Sequence, residues 1–176
     1  MGSLDVVPAA ERPDLVAPPV RAALTANALP AAEVGVAEID PGSADTAAFC
    51  ERYGVSMDES ANCVIVAGRR GGETTLAACV VLATSRADVN GLVRRHLGVR
   101  KASFAPVEAA VAATGMEYGG ITPIGLPDGW PLLLDSAVAA APRVIVGSGL
   151  RRSKLTVPGA ALAALRGAEV LDDLGQ

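Results

Sequence analysis

Aromatic side chains are scarce: Phe49, Tyr53, Phe104, Tyr118 and Trp130 are the only five in 176 residues. Rings so few exclude a platform on which a run of single-stranded bases would stack. One histidine (His96) and three cysteines (Cys50, Cys63 and Cys79) are present, and no two cysteines form C-x-x-C. Structural zinc needs four N, S or O donors, so no metal is expected. The odd number of thiols argues against a disulfide framework. No apolar run approaches the ~20 residues of a membrane helix. The first residues, MGSLDVVPAAERPDLVAPPV, lack the basic start and apolar run of a secretory signal, and Val6 stands where a myristoylation pattern needs Ser or Thr. These absences together predict a cytoplasmic protein with no membrane association.

What remains is a globular composition, 51% hydrophobic and 19% charged, on a length that suits one domain. Net charge is −4 but uneven. Residues 1–60 hold 3 basic and 10 acidic side chains, and residues 61–176 hold 12 and 9. The second part can therefore meet a phosphate backbone locally despite the acidic total.

The motifs that usually announce chemistry are incomplete. GRRGG at 68–72 lacks the Gly-Lys-Ser/Thr ending of a phosphate loop and reads as a hairpin turn between two β-like runs. GSGL at 147–150 follows an apolar run, but it lacks the third glycine of a dinucleotide fingerprint and SKLTV follows where a helix should begin. His96, just before Gly98, reads as a helix C-terminal residue, because no nucleophile elbow is present to pair with it. Cys63 has no base beside it and reads as a core strand residue.

The pattern predicts an irregular arm over 1–18, then a single domain over 19–176. Its expected helices are 20–28, 44–53 with Ser43 as N-cap, 89–97 capped by Asp88, 106–113, 136–141 and 159–166. Its expected strands are 33–39, an antiparallel hairpin of 62–67 with 74–84, then 131–134, 143–147 and 153–157. Hairpins mixed with short helices give an α+β class with one mixed, strongly curved sheet. The stretch EYGGITPIGLPDG at 117–129, with four glycines and two prolines, is neither helix nor central strand. Long loops of this kind are commonly functional or disordered, and the apolar Ile121, Ile124 and Leu126 point to a packed one.

Four stretches carry a resemblance: NCVIVAG at 62–68, HLGVRKASFAPVEAAVAATG at 96–115, YGGITPIGLP at 118–127 and PLLLDSAVAAAPRVIVGSGLRRSKLTV at 131–157. In that order they resemble the YbaK/EbsC family, free-standing relatives of the editing domain of bacterial prolyl-tRNA synthetase. The G-x-x-x-P loop from Gly119 to Pro123 is the most specific piece. The resemblance covers roughly residues 20–170 and implies hydrolysis of the ester that joins a wrong amino acid to the terminal ribose of tRNA, without a cofactor. It implies aminoacyl-tRNA as partner and a transient contact with a synthetase. It places Asn62, Gly119 and Gly120 at the reacting ester, where glycine amides approach closely enough to hold a developing oxyanion. Thr122, Pro123, Asp135 and the turn Gly147, Ser148, Gly149 border the pocket, although Asp135 also suits a cap for helix 136–141. Arg94, Arg95, Arg100 and Lys101 are the expected phosphate contacts, with a solvated basic face as the alternative. One departure stands out. Well-studied deacylases of the family begin this strand with a lysine, and Asn62 takes its place here. Asparagine can donate and accept but brings no charge. A non-catalytic binder of tRNA ends or nucleotides is therefore the alternative function, and an interaction subunit that docks through its acidic first part is a third.

Overall fold

The computed structural model describes residues 1–176, Ala31 by its backbone alone. In chain order the elements are β1 (Val7–Pro8), α1 (Pro18–Thr25), β2 (Gly35–Glu38), α2 (Thr46–Tyr53), β3 (Ala61–Arg70), β4 (Glu73–Leu82), α3 (Arg94–His96), β5 (Lys101–Phe104), α4 (Val107–Thr114), β6 (Leu132–Asp135), α5 (Ser136–Ala140), β7 (Val144–Gly147), β8 (Ser153–Val157), α6 (Gly159–Ala163) and β9 (Ala168–Leu171). The class is α+β, as the pattern predicts. The strands form two sheets rather than one. The smaller is antiparallel, in the order β1-β2-β8-β7. The larger is mixed, in the order β5-β3-β4-β6-β9. An isolated bridge between Ser60 and Ile145 joins them.

The hairpin β3-β4 is the spine. It keeps one register from Ala61 opposite Leu82 to Arg70 opposite Glu73. Gly71 and Gly72 both take positive φ, 59° and 89°, the turn whose twist matches the flanking strands. β3 is covered on both faces: Ala61 and Ile65 enter the main core, while Val66 enters a second cluster with Val89, Val93 and Leu174. Two buried faces explain why β3 and β4 read as continuous apolar runs instead of alternating ones.

Three differences from the sequence reading have local causes. First, Ser43 does not cap α2. Pro41–Ser43 form a separate 3₁₀ turn, in which Gly42 donates to the Asp40 carboxylate at 2.8 Å, and Asp45 takes the N-cap position of α2. Second, Asp88 does cap the next segment, accepting from Gly91 and Leu92, but Val89–Val93 wind as a π-turn before α3. Third, β1, β5 and β9 are strands that periodicity does not announce. They are two to four residues long, and their partners define them: β5 lies antiparallel to β3, and β9 parallel to β6. The expected irregular arm over 1–18 instead holds β1, 3₁₀ turns at Ala9–Glu11 and Pro13–Leu15 and the first residue of α1, and it is tied down, since Ala9, Leu15, Val16 and Ala17 are buried in the main core. Among the described residues no helix is long and apolar enough to cross a membrane.

Candidate active site

Strand alternation sets the site. Along β8, Leu155 and Val157 face the main core; by the two-residue period Lys154 and Thr156 face the other way. Gly147 of β7 pairs with Lys154 and Ile145 with Thr156, so these four share a face. That face, the start of β3, the N-terminus of α2 and the loop 118–121 enclose a cavity of about 480 Å³, within the range of small-molecule sites. Asn62, Lys154, Gly119, Gly147, Asp45 and Thr46 contribute its polar wall, and Ala61, Cys63 and Ile121 its apolar wall. Phe104, Val107 and Tyr118 also line it.

The loop is held by backbone contacts that glycine permits. Glu117 N–H donates to the Gly149 carbonyl at 2.9 Å, Gly149 N–H to the Gly120 carbonyl at 2.7 Å, and Gly120 N–H to the Glu117 carbonyl at 2.9 Å. A Cβ on Gly120 would lie 2.6 Å from the Leu150 backbone, and one on Gly147 would collide with the Gly120 carbonyl oxygen. Arg151 ties the loop further: its backbone N–H donates to the Glu117 carboxylate at 2.6 Å, and its guanidinium to the carbonyls of Tyr118 and Pro41 at 3.1 and 3.2 Å. Gly119, at φ 83°, is thereby fixed in the cavity wall.

The sequence-derived residues separate into three groups. Asn62, Gly119 and Gly147 line the cavity. Gly120, Thr122, Pro123, Asp135, Ser148 and Gly149 do not, and several have other partners. The amide of Gly120 is engaged by Glu117. Asp135 caps α5 by accepting from Ala137 at 2.9 Å and also accepts from Gly175 at 2.7 Å. Ser148 Oγ lies 2.8 Å from Ser153 Oγ. Thr122 is fully buried, and its Oγ1 is the one buried side-chain polar atom without a partner among the described residues. In the third group, Arg94, Arg100 and Lys101 line a separate shallow concavity with Arg69, while Arg95 is exposed beside it.

Two polar side chains of the cavity wall escape the sequence reading. Thr46 donates its hydroxyl to Asn62 Oδ1 at 2.6 Å. This leaves the Asn62 Nδ2 hydrogens free to donate elsewhere. Lys154 is only 7% exposed; its Nζ donates to the Ala44 carbonyl at 2.9 Å and stands 5.3 Å from the centroid of the Phe49 ring. Burial lowers its pKa to about 8, partly opposed by the Asp45 carboxylate. A lysine between Ser153 and Leu155 in a buried strand was the available signal, since lysine is rarely buried without a reason. Cys63 is half-buried, and burial together with Cys79 pushes its thiol well above the ordinary range; a thiolate nucleophile there is disfavoured. His96 is remote from this wall and pairs with Glu169 at 3.0 Å. Among the described residues no group of three or more His, Cys, Asp or Glu is placed to hold a metal.

Comparison with known proteins agrees with this architecture. A solved structure of a candidate trans-editing enzyme for prolyl-tRNA synthetase is 23% identical and superposes with a TM-score of 0.75, covering 92% of this chain and 99% of that one. A scaffold from work on computational grafting of linear epitopes is 24% identical, also with a TM-score of 0.75, covering 91% of this chain and 97% of that one. At such identities these likenesses establish the fold. The family follows from the sequence profile of the aminoacyl-tRNA editing domain, which matches residues 40–165. That span runs from the Asp40 turn through α6 and so contains every polar residue of the cavity wall: the chain belongs to the aminoacyl-tRNA editing domain family.

Proposed function

We propose that the cavity hydrolyses the ester between a small amino acid and the 3′-terminal ribose of a tRNA, acting on the free mischarged tRNA. The observation that carries this reading is the meeting of Asn62 with the loop glycine Gly119 in one cavity, inside a chain of the editing family. The Asn62 amide, turned by Thr46, presents donors to the ester or to the attacking water. The amide of Gly119 has no backbone or side-chain acceptor among the described residues and suits the carbonyl oxygen, as backbone donors do in oxyanion holes. A cavity of about 480 Å³, shared between ribose and aminoacyl group, favours a small side chain. Small apolar side chains are also those that a synthetase discriminates poorly at its first site, which is why a second hydrolytic site is useful.

The mouth of the cavity fits a nucleic-acid end. Phe104 and Tyr118, 61% and 58% exposed, are two of the five aromatics of the chain and both stand in this lining. They are too few for a run of bases, but they suffice to stack against one terminal base. Lys101 begins the strand that ends at Phe104, so the basic concavity of Arg69, Arg94, Arg100 and Lys101 adjoins the mouth. There it can meet the phosphates of the acceptor end, and Arg95 beside it can add to the same field. A transient contact with the synthetase that releases the mischarged tRNA belongs to the same reading. The reading calls for no cofactor.

The test is a deacylation screen. The full chain is mixed with tRNAs each charged with one amino acid, and ester loss is followed against a no-enzyme control. Turnover on a narrow set of small amino acids is the expected result. No turnover on any of them, with tRNA still bound, would replace this reading by that of a non-catalytic tRNA-end binder.

A further inference from the structure

We infer that Lys154 is the cation of this site: its ammonium, projecting from β8 into the cavity, donates to the ester carbonyl oxygen and stabilises the oxyanion that forms on it. This rests on the deacylase reading above. Asn62 is neutral, and Gly119 offers a single amide. Lys154 is the only lysine in the cavity wall. An ammonium has three N–H donors, and one is used by the Ala44 carbonyl. The other two have no hydrogen-bond partner, and Nζ forms no ion pair among the described residues.

A purely structural buried lysine would be paired with a carboxylate, because burying an uncompensated charge is costly. Among the described residues Lys154 has no such pair, and it lines the cavity. The charged or titratable groups that act on it are Asp45 and Cys50 from the α2 side and Arg151 from the turn before β8. Asp45 favours the ammonium, while burial and Arg151 oppose it. The bond to the Ala44 carbonyl holds the amine beside the 44–46 segment. Thr46 of the same segment orients Asn62, so one stretch of backbone positions both donors.

In the reaction the oxygen of water bonds to the ester carbon and the carbonyl π pair moves onto the carbonyl oxygen, facing Lys154. That pair then reforms the carbonyl as the bond to the ribose oxygen breaks. The ribose oxygen takes a proton originating from the water, and the amino acid leaves as its carboxylate with release of the second proton. Lys154 keeps its own proton throughout, which separates its role from that of a general base.

The experiment pairs turnover with binding, using wild type, Lys154→Met and Lys154→Gln. Single-turnover deacylation is measured on the tRNA identified by the screen. Affinity is measured for two non-hydrolysable aminoacyl-adenosine analogues, one with a planar neutral amide and one with a tetrahedral anionic phosphonate at the ester position. The expected result is a rate lower by about 100- to 1000-fold in both variants, as for loss of one oxyanion donor. Affinity for the amide analogue and for tRNA stays within about twofold, and the preference of wild type for the phosphonate is abolished. The wild-type rate, corrected for the hydroxide reaction, also declines above about pH 8 as the ammonium loses its proton, whereas the residual rate of the variants shows no such decline. Wild-type turnover that persists unchanged in folded variants would overturn the role of Lys154 and leave the deacylase reading standing. Absence of wild-type turnover, with no preference for the phosphonate, would overturn both. Urea unfolding of each variant identifies any loss that is merely a loss of fold.

Discussion

Replacing Lys154 by methionine removes a charge that the fold buries, and its effect on stability is calculable as a function of pH. In the folded protein the pKa is about 8, against the ordinary lysine value of 10.5. The depressed value means that the unfolded chain binds the proton more tightly, so the group lowers stability wherever the unfolded chain holds a proton that the native state resists. At pH 7 this amounts to roughly 3 kcal/mol, the gap between the two values converted at about 1.4 kcal/mol per pH unit. As pH rises from about 8 through 10.5 the native lysine is neutral and the unfolded one progressively becomes so, and the penalty fades. By pH 10 most of it is gone. Methionine forfeits the hydrogen bond to the Ala44 carbonyl at every pH, worth about 0.5–1.5 kcal/mol for a neutral amine, and the cation–π contact with the Phe49 ring only where the amine is charged. Relative to wild type, the variant should therefore lose roughly 2–3 kcal/mol of stability between pH 7 and pH 10. Cys63 and Cys79, both held protonated by burial, destabilise the fold at high pH, but they do so equally in both proteins and cancel in the difference. Urea unfolding of the pair at pH 7, 8, 9 and 10 is the assay. A stability difference that does not change across this range would refute the reasoning, because it would mean that Lys154 keeps its ordinary pKa in the folded state.

Two further predictions concern the mouth and the floor of the cavity. Phe104→Ala with Tyr118→Ala should raise KM for aminoacyl-tRNA by about tenfold or more, at ~1–3 kcal/mol per stacked base, with kcat little changed; an unchanged KM in steady-state kinetics would remove the terminal base from this position. Gly147→Ala places a methyl group against the Gly120 carbonyl and should cost about 1–3 kcal/mol in thermal or urea unfolding. It should also lower turnover more than tRNA affinity, since the displaced loop carries Gly119; a variant as stable and as active as wild type would show that this crossing can relax.

Much of the fold is legible before any coordinates. The hairpin Ala61–Arg70 with Glu73–Leu82 follows from two β-branched runs around a glycine pair. Helix α4 follows from Pro106 before it and Gly115, at φ 67°, after it. These signals are local: the residues that specify the element lie inside it or next to it. The short strands β5 and β9 are not legible in that way, because four residues have too little pattern of their own and become strands only through β3 and β6. The glycine-rich loop is recognisable as the centre of the site, yet the use of its amides is not. Whether Gly119 or Gly120 is available depends on the carbonyl of Glu117.

The same division holds for the chemistry. Family membership, the α+β class, the glycine-rich loop and the candidate Asn62 are all readable along the chain, because they consist of residue types in order. Lys154 is 92 residues from Asn62 in sequence (154 − 62) and sits in a run that reads simply as a strand. It joins Asn62 in one cavity because β8 pairs with β7 and the Ser60–Ile145 bridge brings β7 against the start of β3. The position of a charge relative to a reacting bond is a distance across sheets, and its desolvation is a property of all the atoms packed around it. Neither quantity is encoded in any one segment, so the cation of the site emerges only when the two sheets are assembled.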